Sequence, residues 1–366
     1  MCRWGFRAAP ALCITTDMRV VFGNARRAGL GLFAFALAAI CPSSAAFAQD
    51  GASFDSYMRT LSAEARREGV SQRTIDAVVP TLTYNPRVVE LDRGQPGGAP
   101  GSSAIPPFAP YKARHVDASR ISRGRNAYQR VRPTLYRISE QTGVPTQVMV
   151  AIWGHETNYG AVRGDFDLAR SLASLAYEGR RRALFSGEFI AVLKAMDRGI
   201  PRSRLVGSWA GATGHPQFLP SVYLRLAVDG DGDGVADIWS SEADALASIA
   251  NYFVFSGWRS GEPWGVPVRV PGGFNRSELT TRMVSPRCPR VFERHSQWRT
   301  MAEWRALGIT PQGRTLGDNV MASLIEPDGP GQTAYLLTGN YRVILDYNCS
   351  NFYALSVGLL ADEIAR

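Results

Sequence analysis

Between Gly143 and Gly160 the chain reads GVPTQVMVAIWGHETNYG. Pro145 suits the first position of a helix, where its missing N–H costs nothing. Val148, Met149, Ile152 and Trp153 then recur at helical spacing and predict one apolar stripe. Glu156 falls three residues after Trp153, four after Ile152 and seven after Met149, so it extends the stripe that should be buried. The polar run Thr157-Asn158-Tyr159-Gly160 predicts the helix end, with Gly160 as a left-handed cap. A carboxyl placed there is pushed toward its protonated form by burial and by the negative end of the helix dipole. Such a group can act as a general acid near neutral pH. The same spacing also fits a Glu that merely caps or salt-bridges a helix end.

The segment resembles the catalytic stretch of the membrane-bound B type of lytic murein transglycosylases (glycoside hydrolase family 103). That family carries a helix ending in a similar I-x-G-x-E-[ST]-x-[FWY]-G, matched by Ile152, Gly154, Glu156, Thr157, Tyr159 and Gly160. A second block, GSWAGATGHPQFLPSVY from Gly207 to Tyr223, resembles the family's glycine-rich motif closely. Its glycines permit close backbone approach or positive φ. The resemblance implies roles for Ser208 near the catalytic carboxyl and for Gln217 on the N-acetyl sugar, and leaves His215 at a variable position.

A third block, YEGRRRALFSGE from Tyr177 to Glu188, resembles a family segment with paired arginines. Aligned back from Phe185-Ser186-Gly187-Glu188, the pair is Arg180 and Arg181; a slip of one makes it Arg181 and Arg182. Read alone, an arginine triplet is a solvated face. By resemblance the pair lies near substrate, where guanidinium groups suit the carboxylates of a peptide stem. The family likeness also places Tyr252 in the sugar groove, and Tyr347 and Asn348 at its edge. It runs from about Phe54 to Asp362, and what it implies is a mainly α (α+β) fold: a lysozyme-like helical catalytic domain with a small mixed β insertion and an EF-hand-like loop.

That loop is legible without the family. Asp229, Asp231 and Asp233 with Gly234 at the sixth place, the Val235 carbonyl at the seventh and Asp237 at the ninth fit the start of a calcium loop. The twelfth place holds Ser240 rather than an acid, and Glu242 comes two residues late. The expectation is a weak structural calcium or sodium site, or else an empty acidic turn, and no cofactor for catalysis.

Asp165 and Asp167 follow Glu156 and could supply the second carboxylate of an ordinary glycosidase, although the resemblance implies a single carboxyl. His155-Glu156 hints at a zinc peptidase, but Tyr159 stands where H-E-x-x-H needs its second His.

The totals agree with an exported wall enzyme. The formal charge is +9 over 366 residues, of which five Arg and one Asp before Ala48 carry +4, leaving +5 that is scattered rather than striped. Nucleic acid is therefore not an expected partner, whereas an anionic wall polymer is. Arg26-Arg27, the apolar run Leu30 to Ile40 and Ala46-Phe47-Ala48 predict a secretory signal over residues 1–48, with Met18 as an alternative start. The catalytic domain is expected over residues 49–366, with 264–332 as an inserted subdomain. The chain should act in the periplasm as a monomer on glycan strands, alone or with other wall enzymes. Cys41 raises an outer-membrane lipoprotein as the alternative, against which stand the bulky Ile40 and Pro42. Once residues 1–48 are removed only Cys288 and Cys349 remain, and two cysteines in an exported chain most simply form one disulfide.

Secondary structure elsewhere is expected as helices over Phe54–Gly69, Ser71–Val79, Ile121–Gln141, Ser171–Tyr177, Ala243–Trp258, Thr300–Leu307 and Phe352–Ile364. Gly94–Pro110 reads as a loop. Val266–Val270 reads as a strand placed at a sheet edge by Pro267. Ala334–Thr338 and Tyr341–Asp346 read as a hairpin about Gly339-Asn340.

Overall fold

The computed structural model describes residues 53–95, 106–279, 288 and 291–366; the expected signal sequence lies outside them. Short helices come first: α1 (Phe54–Arg67), α2 (Gln72–Val78), α3 (Pro86–Arg93) and α4 (Ala109–His115). Ser53 and Ser71 cap α1 and α2 by accepting from backbone N–H groups three residues on, the usual remedy for orphan donors. The helix expected over Ile121–Gln141 is two, α5 (Ala118–Arg130) and α6 (Arg132–Thr142). Pro133 cannot donate to the preceding turn, so the chain restarts there. Helix α4, starting at Ala109, lies partly in a stretch expected as loop.

The centre of the body is α7 (Thr146–Thr157). Pro145 is its N-cap rather than its first residue. The helix is buried nearly all round, from Val148 to Gly154 without a break, so the single expected stripe understates it. Such a helix must be wrapped on every side, and α5, α6, α11 (Glu242–Phe255) and α14 (Asn351–Ala365) do so. Outside this ring α8 (Leu168–Glu178) packs on α9 (Arg182–Asp197), and α10 (Pro220–Leu226) on α9. The two-residue strands β1 (Phe166–Asp167) and β2 (Val206–Gly207) pair antiparallel.

The rest is an antiparallel sheet with one short helix. Its strands are β3 (Gly265–Arg269), β4 (Arg299–Thr300), β5 (Thr310–Pro311), β6 (Met321–Ile325) and β7 (Ala334–Leu337), in the order β4-β6-β7-β3-β5. The middle strand, β7, thus comes from beyond Gln332. Strand β3 is not at the edge: β5 pairs with it at Val268 and Arg269, and Pro267 sits just past that pairing, its carbonyl accepting from Gln312 N. Two-residue alternation divides the sheet. Tyr335, Leu337 and Ile325 join the main helical core. Ala334, Leu336, Leu324 and Val266 face a second core with Met301 and Trp304 of α12 (Met301–Ala306), as a period of two requires.

The expected second strand over Tyr341–Asp346 is instead helix α13 (Gly339–Tyr347). Thr338 caps it, and buried Asn340 bonds the backbone of Arg259 and Glu262, so Gly339-Asn340 opens a helix rather than turning a hairpin. Tyr341, Ile344 and Leu345 are all buried, at helical rather than strand spacing. Ser350 caps α14, and among the described residues the architecture is mainly α-helical, with fourteen helices and one inserted sheet.

Candidate active site

Glu156 sits in the last turn of α7, partly exposed yet enclosed on most sides. Burial raises its pKa from 4.5 to about 7, and a hydrogen bond from Tyr353 Oη to Oε1, 2.5 Å long, opposes only part of that rise. Tyr353 comes from the first turn of α14. Burial, and then the charge of Glu156 itself, raise the pKa of Tyr353 and of Tyr347, so both remain phenols. Tyr111 on α4 also feels Glu156, though its own rise is dominated by burial. The neighbouring His155 is held neutral, its pKa lowered to about 3 by burial and then by Arg120. Among the described residues Glu156 thus has a neutral donor and no ion pair, and such a carboxyl keeps its proton to neutral pH.

The helix end is sharper than expected. The left-handed turn begins at Asn158 (φ 52°) and continues through Tyr159 (φ 60°) to Gly160 (φ 87°). Two successive non-glycine residues there are costly and cluster at functional sites. The turn swings Tyr159 back under the helix, where its Oη donates to Arg120 O over 2.9 Å. A Cβ on Gly154 would lie 2.6 Å from the Tyr159 ring, which accounts for the glycine two residues before Glu156.

The glycine-rich block folds against this end. Trp153 Nε1 donates to His215 Nδ1 (2.9 Å), and Thr157 Oγ1 donates to His215 O (3.1 Å). His215, which the sequence left without a role, thus ties the block to α7. Gln217 adopts φ 50°, and its amide donates to Gly214 O and Arg163 O. Ser208 Oγ accepts from Ala212 N (3.0 Å) and makes no hydrogen bond to Glu156. Tyr347 donates to Pro216 O, and Tyr252 to Asp346 O, each over 2.6 Å, with the two rings edge to face at 4.8 Å. Asn348 is the exposed C-cap of α13.

Arg180 and Arg181 lie apart from this network. Both pair with buried Asp92 of α3, Arg180 Nε at 2.7 Å from Oδ2. Arg182 lies over the Tyr57 ring. Asp167 caps α8 and pairs with Arg202, while Asp165 is exposed. Cys288 and Cys349 are joined as a disulfide, with Cα atoms 5.4 Å apart.

In the acidic loop, carboxylate oxygens of Asp229, Asp231 and Asp244 lie within 4.8 Å of one another. Asp233 is outside that trio; its Oδ1 accepts from Val235 N. Glu242 turns away to Arg130 at 2.6 Å. Asp244, unforeseen in the sequence because it follows the loop on α11, also accepts from Gly230, Asp231 and Asp237 N. Three hard oxygen donors, two from the loop and one from the first turn of α11, suit a cation such as calcium.

Besides His215 and Asp244, sequence reasoning missed Tyr353, Tyr111 and Asp92. Tyr353 and Asp92 lie among apolar neighbours on their helices, where an aromatic or a paired acid looks like core.

Comparison with known proteins places the chain in a family. Residues 53–362 match the family model described as Transglycosylase SLT domain. The chain is 33% identical over 276 residues to the membrane-bound lytic murein transglycosylase B of Escherichia coli (strain K12), covering 73% of this chain and 72% of that protein. Among solved structures it resembles SltB3 of Pseudomonas aeruginosa in complex with NAG-anhNAM-pentapeptide, at 37% identity and a TM-score of 0.76 over 86% of this chain and 80% of that one. It also resembles the Escherichia coli lytic transglycosylase SLT35 in complex with calcium, at 27% identity and a TM-score of 0.68 over 84% and 92%. A family model spanning almost every described residue, together with a relative 33% identical over most of both chains, shows that this chain belongs to the membrane-bound lytic murein transglycosylase B family, enzymes of glycosidase-like action on peptidoglycan glycan strands.

Proposed function

We propose that Glu156 is the sole acid and base of this enzyme, and that the chain cleaves the β-1,4 bond between N-acetylmuramic acid and N-acetylglucosamine to leave a 1,6-anhydro end. The observation that carries this reading is a lone enclosed carboxyl whose hydrogen-bond partner is a neutral phenol, Tyr353. Protonated Glu156 donates to the glycosidic oxygen as the C1–O bond breaks, and the substrate's N-acetyl oxygen bonds to C1 in its place. The carboxylate left behind then takes the C6 hydroxyl proton. That oxygen displaces the acetyl oxygen from C1 and closes the anhydro ring, and Glu156 ends protonated. No water is consumed and no second carboxylate is needed. Asp167 is already engaged with Arg202, which supports this economy.

Gln217, Ser208, Tyr252, Tyr347 and Asn348 are proposed to line the sugar path, and Arg180 and Arg181 to face its flank. Calcium is proposed to sit between Asp229, Asp231 and Asp244, with the Val235 carbonyl near, as a brace for the loop rather than a reactant. Periplasmic action is proposed from the leader-like residues 1–48; no helix among the described residues is long and apolar enough to cross a membrane. Mass analysis of muropeptides released from purified sacculi tests the chemistry. Anhydro products support it, and products heavier by one water would make the enzyme a hydrolytic muramidase. Full turnover by Glu156→Gln would leave Glu156 without the role, and no turnover by wild type would leave a wall-binding protein.

A further inference from the structure

No step of the proposed cleavage uses His215, yet its ring and its carbonyl bracket Glu156 on α7. The residue is buried, at 7% exposure. Its Nδ1 accepts from Trp153 Nε1, three residues before Glu156, at 2.9 Å. Its carbonyl accepts from Thr157 Oγ1, one residue after Glu156, at 3.1 Å. Thr157 Oγ1 in turn accepts from Gly160 N over 3.1 Å. A Cβ on Gly160 would run into His215 Cε1 and Nδ1, so the left-handed turn closes directly on the imidazole. That turn passes through Asn158 and Tyr159, both at positive φ, a conformation that persists only where its surroundings hold it. Tyr159 stands edge to face on Trp153, ring centres 5.9 Å apart, and Trp153 is tied to His215.

The other side of His215 belongs to the glycine-rich block. Its N–H donates to Ile238 O over 2.9 Å, and the Trp239 backbone bonds the ring. The next residue, Pro216, accepts the Tyr347 hydroxyl, and the one after, Gln217, takes φ 50°. Tyr347 feels the charge of Glu156. Three successive residues thus join the end of the acid-bearing helix to Tyr347 and to Gln217. The backbone bonds would survive a change of side chain. The bond from Trp153 would not, and a fully buried indole N–H left without an acceptor is costly. Burial and then Arg163 hold the imidazole below its usual pKa, against smaller opposing effects of Glu242 and Asp237. The ring therefore stays neutral and Nδ1 stays an acceptor.

We infer that His215 is a positioning residue for glycan cleavage: its imidazole holds the last turn of α7 in register with the glycine-rich block, so that Glu156, Tyr347 and Gln217 keep one mutual geometry. The inference rests on the glycan-cleaving reading above and adds a residue to it. His215 acts through Trp153 and through the backbone on either side of Glu156, not on the reacting atoms.

Steady-state kinetics on glycan strands test it, together with an NMR titration of the carbon-labelled Glu156 carboxyl, assigned with Glu156→Gln. His215→Phe keeps a ring and removes the acceptor. Its kcat per folded molecule should fall about ten- to a hundredfold, the cost of a small misplacement, while KM stays within about twofold. His215→Asn returns an acceptor oxygen near the place of Nδ1 and should recover most of that loss. Trp153→Phe should lower kcat to a similar extent, and combining it with His215→Phe should add little, because both break one bond. In the titration, the Glu156 midpoint should move from about 7 toward 4.5 in His215→Phe, as water reaches a looser helix end, and return in His215→Asn. Wild-type kcat in His215→Phe would overturn the proposal, as would an Asn variant no better than the Phe variant, or losses that simply add in the double variant. If His215→Phe does not fold, Trp153→Phe decides on the same two readouts. The titration needs no turnover, so a wild type that cleaves nothing sinks the glycan reading, whereas an unmoved midpoint sinks this one.

Discussion

Glu156 and Asp92 are both carboxyls that folding has removed from water, and they end in opposite states. For each, burial is the largest influence and raises the pKa. Asp92 is 1% exposed, but hydrogen bonds from Arg180 and Arg181 together outweigh that cost and leave its pKa lowered. Glu156 receives one neutral hydroxyl, and burial wins. Asp92 is covered by two partly exposed arginine side chains, whereas among the described residues the Glu156 carboxyl meets only the Tyr353 hydroxyl. Burial alone does not keep a carboxyl protonated; burial without a cation does.

The strongest way to break this contrast is Glu156→Gln. With the proton gone, kcat on glycan strands should fall about a thousandfold while the circular dichroism spectrum stays native. In wild type, activity should decline as pH rises through about 7, because Glu156 then loses the proton it must donate.

The same substitution has a stability counterpart. The folded pKa of Glu156 lies above its unfolded value, so its contribution is fully present below about 4.5 and is lost as pH rises through about 7. Glu156→Gln should therefore be the more stable protein at pH 8, by on the order of 2 kcal/mol, and that advantage should shrink toward pH 4. Urea unfolding at the two pH values measures it, and equal gaps at both would mean the carboxyl is not perturbed.

Asp92→Asn sharpens the contrast from the other side. It leaves two adjacent guanidinium groups without their counter-ion. The loss should be about 1–2 kcal/mol, modest because the arginines are 39% and 37% exposed and screened by solvent. Because the folded pKa of Asp92 is lowered, the loss should appear above the unfolded value of 3.8 and vanish as pH falls through the folded one. Tyr353→Phe should cost about 1 kcal/mol and move the alkaline limb of the rate profile upward, since the bond it removes holds the Glu156 pKa down. Least of all, calcium should raise the melting temperature by a few degrees through mass action, and Asp244→Asn should remove that rise without abolishing turnover.

Much of this could be read from the residues. Helix α7, its buried acid, the glycine-rich block and the acidic loop all announce themselves through local spacing or turn chemistry. Helix α13 did not: Gly339-Asn340 favours a turn in isolation, and only the fit of Asn340 between Arg259 and Glu262 makes it a helix start. Pro133 is visible in the sequence, yet the apolar period on either side of it masks the break that it causes between α5 and α6.

The sequence by itself determined where the acid sits along the chain and that its helix would be buried, because periodicity of apolar side chains is a local property. Tertiary structure alone decided what meets that acid. Tyr353 arrives from 197 residues away, and Asp92 reaches Arg180 across 88. No local pattern encodes such meetings, since they depend on which faces pack together, and it is those meetings that set one carboxyl to hold its proton and the other to release it.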